Sequence, residues 1–205
     1  MTDLTLYHIA PSRSSTALWM LEEIGEPYDI HLLRMSKNES RAPAYLAINP
    51  MGKVPALRHK ETLVTELGAV LMYMAEAFPA ANLDVPPGDP QRGDYLKWHF
   101  FRSGVIEPAV VDKMLERTGG PASALGYGDF DTAMDVLAAG LHQGPYLLGD
   151  RFTSADVGVG AALHWAMELV GAIPPRDEFV AYVERIKARP AFQRAEARDD
   201  ELAGE

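Results

Sequence analysis

Three short stretches hold residue types that could do chemistry. The first is Ala10-Pro11-Ser12-Arg13-Ser14-Ser15-Thr16, where four hydroxyls stand between an apolar run and the start of a helical pattern. Such hydroxyls can cap the helix. They can also donate to an anion, and a serine hydroxyl near a helix N-terminus could hold a thiolate and lower its pKa. The second is Asn49-Pro50-Met51-Gly52-Lys53-Val54-Pro55-Ala56-Leu57. A proline opening a strand after a β-branched residue is a candidate cis peptide. A cis Val54-Pro55 bond would turn the backbone N–H and C=O of Val54 outward, ready to pair with an extended, peptide-like ligand; the alternative is an ordinary loop. The third is Thr65-Glu66-Leu67-Gly68-Ala69-Val70, which sets a carboxylate where a strand gives way to a helix. The free N–H groups of a helix start bind anions, and Glu66 could pair with a ligand ammonium. Together they suit an amino-acid moiety carrying both charges. The plainer alternative is that Glu66 only complements the helix dipole.

Other chemistry is excluded or weak. The chain has no cysteine, so disulfides, thiolate metal sites and a cysteine nucleophile are excluded. The six histidines show no metal-ligand grouping with nearby carboxylates, and no metal is assigned. Trp98, Phe101, Val105 and Ile106 follow helical spacing, which reads mostly as core.

The elements that must position these residues fall into two kinds. Up to Phe78, strand and helix signals alternate: strands at 4–9, 28–33, 54–58 and 62–65, helices at 17–24, 41–48 and 68–78. The order is βαβαββα, and its β-α-β opening suggests parallel strands with helices packed on the sheet. Residues 80–91 lie in a run with four prolines and a glycine between 79 and 90, read as a linker. Beyond it strand signals vanish. We expect a long helix over 95–117, bent at Pro108 and broken at Thr118-Gly119-Gly120-Pro121. Further helices are expected over 130–141, 153–170, 179–188 and 190–197, with a frayed acidic tail. The division is 1–79, an α/β domain; 80–91, a linker; and 92–205, an all-α domain.

Composition fits this reading. The 205 residues are 47% hydrophobic and 23% charged, enough apolar content for one large or two small cores. No apolar run reaches the roughly 18 residues of a membrane span, and no secretory signal is visible at the start. The net charge of -10 argues against a general nucleic-acid or anionic-membrane surface. The charge is uneven: residues 1–78 hold 7 basic and 9 acidic side chains, and the remainder 12 and 20. The first part therefore repels a small acid less. We expect a cytoplasmic protein.

The three stretches, in this order and with Leu18-Trp19-Met20-Leu21-Glu22-Glu23, resemble the N-terminal domain of the soluble glutathione transferases, bacterial-like and of the serine type. The resemblance continues in Leu147-Leu148-Gly149-Asp150-Arg151-Phe152-Thr153-Ser154-Ala155-Asp156-Val157, which looks like the family's capping box. Tyr182 and Arg185-Ile186-Lys187-Ala188-Arg189-Pro190-Ala191 match its closing segment. The resemblance implies a thioredoxin-like domain followed by an all-α helical bundle, glutathione as co-substrate, a small electrophile, and a homodimer. The serine-type position falls on Ser12, with Ser14 a near rival. Val54, before Pro55, would pair by backbone with the cysteinyl part of glutathione. Glu66 would meet the γ-glutamyl ammonium; Lys53 and Arg41 would face the glycyl carboxylate. Phe101, Arg102 and Val105, with Trp165, would edge the electrophile pocket. Met51 would be an apolar anchor in the partner subunit. At Leu67 the family commonly has a serine whose hydroxyl binds the γ-glutamyl carboxylate. One hydrogen bond to a charge is lost there, about 1.5–3 kcal/mol. A rival class is therefore kept open: a non-catalytic ligand-binding or assembly module of the same fold. Glutathione-dependent reduction or isomerisation is the other enzymatic alternative, although without a cysteine no mixed disulfide with the protein can form.

Overall fold

A computed structural model describes residues 2–117 and 120–204. Thr118 and Gly119, half of the expected helix break, lie outside the described residues, as do Met1 and Glu205. The chain forms two compact units, one built from residues up to Asp84 together with those from Arg189 onward, the other from Val85 to Ala188.

The first unit centres on a four-stranded sheet of β1 (Leu4–His8), β2 (Asp29–Leu32), β3 (Ala56–His59) and β4 (Thr62–Thr65), in the order β2-β1-β3-β4. β1 and β2 run parallel, as the βαβ opening requires, while β3 is antiparallel to both β1 and β4. The sheet is thus mixed: a two-residue turn joins β3 to β4 and forces that pair antiparallel.

α1 (Ser14–Ile24) buries Ala17, Leu18, Trp19, Met20 and Leu21. It stops at Gly25, whose φ of 76° is left-handed and whose N–H returns to the Leu21 carbonyl. A four-residue helix, α2 (Pro43–Leu46), follows β2. α3 (Leu67–Ala77) turns Leu67, Val70, Leu71 and Met74 inward at helical spacing. Complete burial of each such side chain contributes about 1.5–3 kcal/mol.

α4 (Arg92–Phe101), α5 (Glu107–Met114), α6 (Phe130–Leu141), α7 (Ser154–His164) and α8 (Asp177–Lys187) make the second unit. Where a bend at Pro108 was expected, α4 passes into α5 through a π-helical segment, Arg102–Ile106, that ends just before Pro108. Proline lacks the N–H that an α-helical bond to Gly104 would need, so a wider turn accommodates it. A second π segment, Trp165–Leu169, continues α7. The linker stretch is not free chain: Leu83 is buried in the first unit and Val85 in the second.

The tail differs most from expectation. α9 runs unbroken over Pro190–Ala203 and belongs to the first unit, not to the helical one. Its inner stripe of Phe192, Ala195 and Leu202 is buried. Phe192 meets the edge of Trp19 on α1 with ring centroids 5.1 Å apart. Arg189 pairs with Glu23 at 2.6 Å and Arg194 with Glu22 at 2.7 Å. Acidic composition suggested fraying, but the apolar stripe and these pairs tie the helix to α1.

Candidate functional site

At one end of the sheet Tyr7, Ala56 and Thr65 lie side by side across β1, β3 and β4. The three chemistry-bearing stretches begin or end there. The hydroxyl loop leaves β1, the Val54-Pro55 segment enters β3, and Glu66 follows β4 directly. Beneath them Tyr7, Ile9, Leu33, Tyr45 and Ala56 form a buried apolar cluster on which Ile48 and Val54 pack.

In the hydroxyl loop, the Ala10-Pro11 bond is cis, which the sequence reading did not anticipate. Ser12 is half-buried and Ser14 fully buried. Their Oγ atoms are 2.7 Å apart. Ser12 Oγ also accepts from the Ser14 backbone N–H at 3.1 Å, and the Ser12 N–H donates to Ser15 Oγ at 3.1 Å. One loop hydroxyl, Ser12 Oγ, thus meets an N–H of the first turn of α1, while Arg13, the residue before the helix, makes no side-chain cap. Ser14 Oγ faces inward, accepting from Ile9 N–H at 3.1 Å and lying 2.8 Å from His8 Nδ1. Between the two candidate serines, Ser12 is the one a ligand can reach.

The Val54-Pro55 bond is cis. The loop before it is pinned, because the Lys53 carbonyl accepts from Tyr45 Oη at 2.6 Å and from Asn49 Nδ2 at 2.8 Å. Val54 sits outside β3, and its backbone N–H and C=O make no hydrogen bond among the described residues. Gly52 has φ +60°, and a Cβ there would stand 2.8 Å from the Ser40 carbonyl oxygen and 2.9 Å from Arg41 Nη1. Only glycine serves at that point. Arg41 is exposed and donates to the Met51 carbonyl at 3.1 Å, so its guanidinium is already fixed against this loop. Lys53 is exposed, and Met51 is 62% exposed.

Glu66 precedes α3 with φ 71° and ψ 120°. A bulky non-glycine residue at positive φ is strained, and such strain clusters at ligand sites. Its side chain is exposed. α3 begins with no side-chain cap and no acidic residue in its first turn. The N–H groups of Leu67, Gly68 and Ala69 thus keep the partial positive charge of a bare helix start. Leu67 stands differently from expectation: its side chain is 6% exposed and belongs to the inner stripe of α3, leaving only its N–H for a ligand.

In the second unit the four expected pocket residues fall in or beside the two π segments. Phe101 precedes the first segment, Arg102 and Val105 lie in it, and Trp165 opens the second. Widened helical turns of this kind are frequent at functional sites. Phe101 and Val105 are half-buried, as is Trp165. Arg102 is buried and paired with Glu107 at 2.8 Å, so its charge is met within the unit. Asp156 accepts from Leu147 N–H, Thr153 N–H and Tyr182 Oη at 2.9, 2.9 and 3.0 Å. The predicted capping box is present.

The sequence reading missed His8, Ser15 and Asp199. Signals for two of them were present. In β1, Leu4, Leu6 and His8 share the core-facing period, so a histidine was due to be buried and in need of partners. In α9, Asp199 falls on the same stripe as Phe192, Ala195 and Leu202, an acid on an apolar face.

Comparison with known proteins decides the family. Residues 2–76 match the glutathione S-transferase N-terminal domain, and residues 115–194 the glutathione S-transferase C-terminal domain. Glutathione S-transferase 3 of Zea mays is 30% identical over 87% of this chain and 86% of its own. The chain belongs to the glutathione transferase family. Among solved structures, a glutathione transferase from Methylococcus capsulatus is similar with TM-score 0.80 and 26% identity, over 96% of this chain and 98% of that one. A homologue from Sulfitobacter, with bound glutathione, has TM-score 0.76 and 26% identity, over 97% and 99%. The thioredoxin-like sheet and the helical second unit are the architecture of this family. Relatives also include the disulfide-bond oxidoreductase YghU of Escherichia coli, 26% identical over 76% of this chain and 58% of its own. Among the described residues no helix is long and apolar enough to cross a membrane, and no group of three or more potential ligands is placed to hold a metal.

Proposed function

We propose that the protein transfers glutathione to a small electrophile and activates the thiol through Ser12. The observation that carries this is the convergence of three complementary groups at one sheet end. These are a reachable serine hydroxyl, an unengaged backbone pair at Val54, and a carboxylate beside a bare helix start. Glutathione is an extended peptide with an ammonium and a carboxylate at one end and a thiol in the middle. Glu66 meets the ammonium, and the N–H groups at the start of α3 meet the γ-glutamyl carboxylate. Val54 pairs with the cysteinyl amide, the cis Pro55 following it. Lys53 takes the glycyl carboxylate, with Arg41 holding the loop and adding positive charge. The Ser12 hydroxyl then donates to the sulfur, and a hydrogen bond to the ionised form lowers a pKa. Phe101, Val105 and Trp165 supply apolar surface for the electrophile. Catalysis consists of thiolate stabilisation and positioning, with no covalent enzyme intermediate. The functional molecule is a C2 homodimer, in which exposed Met51 is an anchor for the partner subunit.

The test is calorimetric titration with glutathione, followed by turnover of a chloro-dinitroaromatic acceptor. Binding and conjugation, both weakened in Glu66→Gln, support the reading. Binding without turnover of several acceptor types would instead favour a ligand-carrying member of the fold, and no binding would refute the glutathione site.

A further inference from the structure

Behind Ser12 lies a chain of polar groups that thiolate stabilisation alone does not require. Ser12 Oγ is 2.7 Å from Ser14 Oγ, which is 2.8 Å from His8 Nδ1. On the other side of the ring, His8 Nε2 is 2.8 Å from Asp199 Oδ1, a contact not aligned as a straight hydrogen bond. Asp199 Oδ2 accepts from Ser15 Oγ at 2.8 Å. His8 is wholly buried, and the Asp199 side chain is 13% exposed. The imidazole therefore has an acid on one nitrogen and, through two hydroxyls, a ligand-accessible oxygen on the other. Around it, β2 presents apolar Leu32 opposite His8, α1 presents Ser14 and Ser15, and α9 presents Asp199. The neighbouring α1–α9 charges are paired among themselves, Glu22 with Arg194 and Glu23 with Arg189.

The geometry points to a proton relay: the buried His8–Asp199 pair takes up the thiol proton of glutathione through Ser14 and Ser12. This inference rests on the reading above that places the thiol at Ser12. In the proposed starting state the imidazole proton is on Nε2, where the nearby Asp199 carboxylate favours it electrostatically, so Nδ1 is bare and accepts from Ser14 O–H. Ser14 Oγ accepts from Ser12 O–H, and Ser12 Oγ accepts from the S–H. On ionisation the S–H bond breaks and its proton joins Ser12 Oγ. The Ser12 proton passes to Ser14, and the Ser14 proton forms the Nδ1–H bond. The products are a thiolate accepting from Ser12 O–H and an imidazolium beside the Asp199 carboxylate. No oxidant or other reactant is needed.

Hydrogen-bond capacity balances in both states. Ser12 Oγ always accepts from Ser14 N–H and one other donor, and donates once. Ser14 Oγ always accepts from Ile9 N–H and one other donor, and donates once. The competing acceptor for the Ser14 hydroxyl is the Ile9 carbonyl at 3.3 Å, a longer contact than the 2.8 Å to Nδ1. His8 and Asp199 touch no substrate and are positioning residues, acting through the two serines.

The experiment follows His8 by nitrogen NMR of the ring while bound thiolate is read by ultraviolet absorbance. Glutathione is compared with S-methylglutathione, which has no thiol proton to give. The expected result is that glutathione converts Nδ1 from bare to protonated in step with thiolate formation, while S-methylglutathione binds and leaves the ring neutral. His8→Asn keeps a hydrogen-bonding amide toward Ser14 but cannot take the proton. It should still bind both ligands, with the bound-thiol midpoint raised by about one pH unit, roughly tenfold less thiolate below the midpoint. Asp199→Asn should shift it the same way by less. Thiolate formation with a neutral His8 ring, or an unchanged midpoint in both variants, would overturn the relay while leaving the glutathione site standing. If His8→Asn does not fold, the native ring signal and Asp199→Asn decide between these results. Failure of both ligands to bind the native protein would refute the site itself and the relay with it.

Discussion

In the proposed site, binding and ionisation fall to different residues, and substitutions should separate the two. Ser12→Ala removes one hydrogen bond to a charged sulfur, about 1.5–3 kcal/mol, or roughly 10- to 150-fold in kcat/KM. Glutathione affinity, measured by calorimetry below the thiol's ionisation range, should change little. Glu66→Gln should do the reverse, weakening binding with little movement of the bound thiol's pH midpoint. Equal loss of affinity in both variants would show that the two roles are not distinct. Leu67 is where residue type and residue place disagree. By the family resemblance it is a serine position filled by leucine. In the fold its side chain is part of the inner stripe of α3. Leu67→Ser should therefore cost stability, about 2–5 kcal/mol by analogy with large-to-small core changes, read as a fall in the urea midpoint. An unchanged midpoint would mean the side chain is not core.

Elements hold these residues by packing that sequence pattern shows unevenly. β1, α1 and α6 are legible because their apolar periods and their Gly, Pro or Asp boundaries agree, and β4 because a turn around His59-Lys60-Glu61 sets it off from β3. The cis Val54-Pro55 bond was legible from a β-branched residue before proline at a strand start, whereas the cis Ala10-Pro11 bond had no such cue. The first π segment accommodates Pro108, whose position alone suggested a bend instead, and the second has no cue in the spacing. α9 was illegible for a different reason: its acidic residues masked a narrow apolar stripe that acquires meaning only against α1. Phe192→Ala should therefore destabilise by about 3–5 kcal/mol, as for a core aromatic rather than a frayed end. In the helical unit, Gly140 lets two helices close up, since a Cβ there would overlap the Trp98 ring. The same unit should be sensitive to acid. Burial, with Arg102 and then Arg92 adding repulsion, pushes His99 down to about 3. The unfolded chain takes up a proton near pH 6.5 that the folded chain refuses. This stability is therefore present above about pH 6.5 and lost as pH falls toward 3, roughly 4–5 kcal/mol in all. Burial raises Asp156 to about 6, so its contribution runs the other way, falling as pH rises from about 4 to 6. His99→Gln should flatten the acid-side loss in chemical denaturation at a series of pH values. An unaltered pH slope would mean His99 is not held neutral by the fold.

At the scale of the molecule, the groups proposed for glutathione belong to the sheet unit, and the apolar residues proposed for the electrophile fall at the π segments of the helical unit. The family was legible in the order of motifs along the chain, because each motif fixes a strand entry or helix start. The His8–Asp199 pair was not, because its members are 191 positions apart in sequence and meet only when α9 docks on α1. Light scattering at micromolar concentration should give twice the chain mass, and a monomer would refute the proposed dimer. The central claim is that Ser12 sustains a glutathione thiolate. The most direct measurement is the thiolate absorbance of bound glutathione against pH, in the native protein and in Ser12→Ala. The native curve should have its midpoint well below the ordinary thiol value of about 8.5, and the variant's should return toward it. Superimposable curves would contradict the account.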